Sequence, residues 1–424
     1  MTTERKNPLC VKSVASLILI TLLLISCLIA GCTRHATDIS AAGSPVQTPA
    51  PSATANASGQ PGTPTNTVYQ TLVINNTPTP TATPDMGFET QGAFGKTYYY
   101  IIDSTPGYIP FKVYTGVNSY IASFGDIYTG DDYNAIIGNE VQRKYVSQLV
   151  ENIRRAAKNP DDEARIAISL VQHIKYDANA LNEIRVNTSK TGQKYIGRYP
   201  YTILDQNWGG ICGEKSFLLA LLLKELGYGV AIYEFDDIHH MAVGIKVPAQ
   251  YAYKGTGYAL IESTAPEIPT FDEYTFVGIN TSLSSTSPSK TVIVSDGRSF
   301  TTIGTEYSDA QLERSIYQEL GKVNTAATRV NTAAAQLDQL KAAAEYWKTR
   351  AQNDYARGDM VSYQNDLSMF NQANTAYQNY YTQVYFPAYI SWRNLKDEYQ
   401  NNFAPKQKGL EDKYGMTTGI GVGL

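Results

Sequence analysis

GGICGEKSFLLALLLKELGYG, Gly209–Gly229, decides how the rest of this chain is read. Phe217, Leu218, Leu219, Leu221, Leu222 and Leu223 make a helix apolar on most faces, with Gly227 as its C-terminal cap. Such a helix belongs at the centre of a domain. Trp208-Gly209-Gly210 predicts a flexible entry, and Cys212 falls in the first turn. Unpaired backbone N–H groups and the helix dipole there favour a thiolate over a thiol. A structural cysteine would sit more naturally mid-helix among the leucines, yet buried free cysteines are common, so packing and nucleophilic readings both stand at this point.

Downstream, period-two patterns take over. GVAIYEF (Gly229–Phe235), HHMAVGIKV (His239–Val247) and YALIEST (Tyr258–Thr264) predict three strands, with DDI as the turn after the first. In the second, Met241, Val243, Ile245 and Val247 share one face, so His240 shares the other with Ala242 and Gly244, whose small size leaves room over an imidazole. Glu262 is a lone carboxylate in the third strand, a costly group to bury unless it accepts a histidine N–H. Cysteine at a helix start, histidine on a strand and an acid on the next strand are the ordered parts of a thiol triad. Asp236, Asp237, His239 and His240 offer a metal site as the rival reading, but adjacent pairs in a hairpin seldom converge.

These residues carry a family resemblance. GGICGEKSFLLALLLKELG, HHMAVGI and LIEST resemble the Cys, His and Asp motifs of the transglutaminase-like superfamily, relatives of the papain-type cysteine proteases. IAISLVQHIKYD (Ile166–Asp177) is similar to the helix that precedes those motifs, and the likeness spans about Asn139 to Pro269. It implies an α/β (α+β), papain-like transglutaminase core, with a central helix bearing Cys212 against an antiparallel sheet bearing His240 and Glu262. The third position is usually aspartate in the family, and here it is Glu262. A small or apolar strand typically follows the family's histidine, which selects His240 over His239. The implied chemistry is acyl transfer: Cys212 attacks a carboxamide, His240 moves the proton and Glu262 fixes the imidazole. Oxyanion donors would be the Cys212 N–H with the Gln206 side chain or Trp208 indole, Gln206 lying six residues before the cysteine as in papain-type proteases. No cofactor is called for. Hydrolysis of a peptide or isopeptide amide is the first expectation; amine transfer to protein glutamine and a non-catalytic peptide-binding module are the alternatives.

The N-terminus bears on location. Arg5, Lys6 and Lys12 precede ASLILITLLLISCLIA, and Ile29-Ala30-Gly31-Cys32 resembles a lipobox, so residues 1–31 read as a lipoprotein signal peptide and Cys32 as the lipidated residue. An uncleaved membrane anchor is the other reading of the same run. Either way the body lies outside the cytoplasm, at the membrane-anchored cell surface. Cys10 and Cys27 fall within the signal, leaving Cys212 with no intramolecular disulfide partner. Residues 32–85, rich in Pro, Thr, Ser and Ala, read as a linker, with VYQTLVI (Val68–Ile74) as a possible docking strand and weak glycosylation triplets at Asn75 and Asn187.

The enzyme-like domain is expected over 86–300. Lys96–Ile102 predicts a strand, Val141–Ile153 a helix, and Asn159-Pro160-Asp161-Asp162 caps a helix running to Ile174, with His173 as a cation at its end. From 301 to 404 the pattern changes: Ile316, Val323, Val330, Leu337, Ala344 and Ala351 recur every seven residues, with Leu320, Ala327 and Ala334 between them. A second run from Tyr363 to Val384 follows the Arg357-Gly358-Asp359 turn, predicting an antiparallel α-helical coiled-coil hairpin that ends at Pro387, then a flexible tail over 405–424. Arg-Gly-Asp as an adhesion motif is outweighed by its reading as a turn. With 35 basic against 39 acidic residues no broad positive field exists, which argues against nucleic acid as a partner and leaves a protein or peptide substrate and the membrane anchor. Thirty-two tyrosines suit a wet extracytoplasmic surface.

Overall fold

The leucine run forms its helix and disappears into the interior, with every side chain from Phe217 to Leu223 fully buried. A computed structural model describes residues 87–180, 194–205, 209–273 and 283–416. Cys32, Asn75, Asn187, Gln206 and Trp208 lie outside them, as do the signal and linker segments. The protein is mixed α/β, with small antiparallel sheets and a long helical segment.

The first sheet is a hairpin of β1 (Ala93–Ile102) and β2 (Thr105–Tyr114), joined by Asp103 and Ser104, both at positive φ as a tight two-residue turn requires. After it come α1 (Thr115–Ala122), a short β3 (Ile127–Tyr128), α2 (Tyr133–Ile137) and α3 (Glu140–Ala156). Helix α3 buries Val141, Tyr145, Leu149, Val150 and Ile153 along one stripe. Asn159 caps α4 (Pro160–His173) by accepting from Asp162 N at 2.9 Å, with Pro160 in the first turn where its missing N–H costs nothing. His173 lies in the last turn of α4 as expected; burial pulls its pKa below 6.5, and its Nδ1 contacts Ser169 O at 2.7 Å.

β4 (Tyr195–Gly197) pairs with β3, α5 (Pro200–Asp205) follows, and α6 (Cys212–Glu225) is the leucine helix. β5 (Val230–Phe235), β6 (His240–Lys246), β7 (Tyr258–Ile261) and β8 (Lys290–Ser295) form one antiparallel sheet in the order β7-β6-β5-β8. Ile232, Met241, Val243, Ile245 and Ile261 join the core that contains α6. Ala231, Tyr233, Phe235, Ala242, Tyr258 and Leu260 form a second cluster.

Helix α7 (Gly304–Ala356) has 53 residues, about 80 Å of rise. Arg357-Gly358-Asp359 is the turn into α8 (Met360–Tyr380), with the Asp359 carboxylate accepting from Ser362 N at 3.1 Å. The hairpin does not stop at Pro387. A wide π-type turn over Tyr381–Tyr385 leads straight into α9 (Phe386–Asn402), placing Pro387 in the first turn of a new helix where no N–H is missed. Residues after 404 are likewise structured: α10 (Ala404–Tyr414) buries Gln407 and Leu410, and Lys413 and Tyr414 both reach Asp309. That capture by α7 is why the segment from 405 to 414 is helix rather than flexible tail; 417–424 lie outside the described residues.

The seam of α7 differs in detail from its seven-residue pattern. Ile316, Leu320, Val323, Ala344 and Ala351 are buried as expected, but Ala326 and Ala333 take the positions expected for Ala327 and Ala334, and Val330 and Leu337 are only half-buried. Close approach of two helices hides small Ala side chains and leaves part of a larger one in water. The first turns of α7 and the residues leading into it lie against the sheet-bearing body through Arg165–Glu306 at 2.7 Å, Thr301 Oγ1 donating to Asp161 at 2.8 Å, and Arg314–Asp272 at 2.5 Å.

Candidate active site

Cys212 is the first residue of α6, half-buried and free of any disulfide. Its approach is pinned rather than flexible. Gly210 N donates to Lys175 O at 3.0 Å and Asp177 N to Gly210 O at 3.2 Å, bridging the entry to the chain after α4. Gly209 lies at φ 93°, and a Cβ there would sit 2.0 Å from Lys175 O. A Cβ on Gly213 would sit 2.1 Å from Ile196 O, so the residue after the cysteine must be this small for the helix start to touch β4.

His240 opens β6, opposite Phe235 in the register of β5. Its side chain is buried and hydrogen-bonds Cys212, while Nε2 and Glu262 Oε2 are 2.9 Å apart. Glu262 follows the last residue of β7, also buried; its other oxygen accepts from Thr264 N and Thr264 Oγ1, each at 2.7 Å. Three residues from three elements thus form one hydrogen-bonded chain: thiol, imidazole, carboxylate. Burial works against charge on His240, but the Glu262 carboxylate and the hydrogen bond with Cys212 outweigh it and hold the imidazole well above 6.5. Burial likewise opposes ionisation of Glu262, and His240 with the two Thr264 donors reverse it, holding the carboxyl below 4.5. The pair is therefore biased to the charged form.

The room expected over the imidazole is closed: the Phe235 ring lies 6.2 Å from His240, and Tyr233 and Tyr258 fill the space beside Gly244. His239 sits in a left-handed turn at φ 51°, exposed, away from the chain of three. The acidic-histidine cluster does not converge: Asp236 pairs with Lys194 at 2.7 Å, and His240 faces Glu262. Among the described residues no group of three or more His, Cys, Asp or Glu is placed to hold a metal ion, and no helix is long and apolar enough to cross a membrane.

Two further side chains escaped the sequence reading. Glu214, 1% exposed, accepts from Ile211 N at 3.0 Å and from Arg198 Nε at 2.5 Å and Nη2 at 2.8 Å, closing the N-terminus of α6 with a buried ion pair. Lys215, 0% exposed, donates to three backbone carbonyls. Their signal lay in plain view as the only charges between Cys212 and Leu223. A separate cleft of about 310 Å³, lined by Tyr253, Leu260, Thr270 and Arg314 among others, lies between β7 and the first turns of α7 and includes neither Cys212 nor His240.

Comparison of the chain with family models, with curated proteins and with solved structures finds no match.

Proposed function

We propose that this chain is an extracytoplasmic, lipid-anchored thiol enzyme of transglutaminase-like, papain-like design that hydrolyses peptide or isopeptide amides through Cys212, His240 and Glu262. The observation that carries the reading is the Cys212–His240–Glu262 hydrogen-bonded chain, with the thiol at the first turn of a helix buried from Gly213 to Leu223. His240, kept charged by Glu262, stabilises a thiolate at Cys212. The thiolate attacks the amide carbon, the C–N bond breaks as His240 gives its proton to the leaving amine, and a thioester remains. His240, now neutral, takes a proton from water, whose oxygen displaces the thiolate and releases the carboxylic acid. The backbone N–H of Cys212, at the first turn of α6, is the oxyanion donor in this reading.

Alkylation of Cys212 by iodoacetamide as a function of pH tests the site. The expected profile retains reactivity well below the range where a free thiol ionises, about 8.5, and loses it in His240→Ala but not in His239→Ala. Cys212→Ala should abolish acyl-enzyme formation with an activated peptide ester. A wild-type profile that follows an ordinary thiol, or damage from His239→Ala instead, defeats the assignment. Anchoring is tested separately: Cys32→Ser should leave the precursor uncleaved or release the protein from the lipid phase in detergent partitioning, and an unchanged N-terminus and phase would defeat the lipoprotein reading.

A further inference from the structure

Lys215 is an expensive residue to place where it is. An ammonium removed entirely from water is tolerated only when its donors are all engaged, and here they are: Nζ donates to Gln172 O at 3.1 Å, Ile174 O at 2.6 Å and Thr264 O at 2.7 Å. Two of these carbonyls close the C-terminal end of α4, where a helix presents unpaired oxygens and a negative dipole. The third belongs to the residue that orients the acid. Thr264 accepts from Lys215 through its carbonyl and donates to Glu262 Oε1 through both its N–H and its hydroxyl.

A second tie runs through Gln172. Its carbonyl is held by Lys215, and its side-chain amide donates to the backbone oxygens of Glu262 at 2.8 Å and Glu267 at 3.0 Å. Both the carboxylate and the backbone of Glu262 are thereby connected to one ammonium. Lys215 is also three residues after Cys212, so one face of α6 carries the thiol and the group that fixes the far end of its hydrogen-bonded chain.

We propose that Lys215 is a positioning residue for the thiol site: by clamping Thr264 and the end of α4 to the cysteine-bearing helix, it aims the Glu262 carboxylate at His240. The proposal rests on the thiol-enzyme reading and deepens it. Three hydrogen bonds from a single charge polarise the acceptors they reach, so the Thr264 N–H and hydroxyl become better donors to Glu262. Burial opposes the charge on Lys215 and draws its pKa down to about 7, the Glu262 carboxylate offsetting part of that loss, so the ammonium that makes the clamp is the form present at pH 6, where the test reads it.

The test uses the folded body and iodoacetamide alone. Lys215→Met keeps the unbranched apolar stem and removes the donors; its Cys212 alkylation rate at pH 6, relative to its own rate at pH 9, should fall about tenfold or more against wild type. Lys215→Met combined with Glu262→Gln should be no worse than Glu262→Gln alone, because both act through the same carboxylate. A merely structural lysine would lower the melting temperature, leave the pH profile in place and add its effect to that of Glu262→Gln; that result overturns the proposal. Where Lys215→Met does not fold, Thr264→Val removes only the hydroxyl donor and should depress the same pH 6 rate, and an unchanged profile there overturns it equally. An ordinary thiol profile in the wild type defeats the enzyme reading and this proposal together, whereas a wild-type low-pH limb preserved in Lys215→Met defeats the positioning role alone.

Discussion

Helices α6 and α7 bury their residues in opposite ways. Helix α6 has 14 residues and hides Gly213 through Leu223 without a break; α7 has 53 and hides a single file in which Ile316, Leu320 and Val323 give way to Ala326, Ala333, Ala344 and Ala351. The first is gripped by the β5-β6-β7-β8 sheet on one side and by α3, α4 and α5 on others, so rotation or sliding would break packing everywhere at once. That rigidity suits an element that must hold a thiol against an imidazole. The second touches its partners along one seam, where alanine follows alanine, and the neighbouring registers differ little. A long lever or spacer tolerates this; a reacting group would not.

The comparison breaks most sharply in the middle of α6. Phe217 is fully buried and packs edge-on against Tyr133 with ring centroids 5.0 Å apart. Phe217→Ala removes a large side chain from a site closed on all sides, and the expected loss is about 4 kcal/mol in urea unfolding. A loss below about 1 kcal/mol would mean that α6 is not held as tightly as its burial implies.

Much of α6 and its sheet was legible because their signals are local. Six large apolar residues in seven positions leave no polar face, and the alternation from Met241 to Val247 sets His240 apart from the apolar side chains that join the core around α6. What was not legible depends on partners distant in sequence. Glu214 needs Arg198, and Lys215 needs carbonyls at 172, 174 and 264, none of which a periodic pattern can select. Pro387 marked a helix end correctly in chemistry but not in outcome, since a π-type turn before it lets a new helix begin at once. Residues 404–414 carry too few apolar side chains to announce a helix; Asp309 on α7 supplies the reason for it to dock.

A second test sharpens the comparison on the α6 side through pH. The pKa of His240 is raised, so its contribution to stability is complete below about 6.5 and is lost as pH rises through the folded value. That of Glu262 is lowered, so its contribution is complete above 4.5 and is lost as pH falls through the folded value. The stability gap between wild type and Glu262→Gln should therefore be widest between about pH 4.5 and 6.5, about 3 kcal/mol, and narrow on both sides. Measured by urea unfolding across that range, a gap that does not vary with pH would show that the pair is not ionised in the folded protein. No comparable dependence is expected from substitutions along the α7 seam, whose buried apolar residues carry no charge.

The smallest effects belong to that seam, and they distinguish its positions. Val323 is 1% exposed and Val330, one heptad later, is half-buried. A seven-residue repeat treats the two as equivalent; the structure does not, because Ala326 and Ala333 bring the helices close enough to hide small side chains and leave part of Val330 in water. Val323→Ala removes two buried methyl groups' worth of apolar contact, about 1.5 kcal/mol, while Val330→Ala should cost under about 0.8 kcal/mol. Both variants should leave Cys212 alkylation unchanged, since α7 packs chiefly against α8, α9 and α10 rather than against α6. Equal losses at the two positions would restore the simple heptad and remove the alanine-led seam; a larger loss at Val330 would mean that this helix is covered by something the isolated chain does not contain.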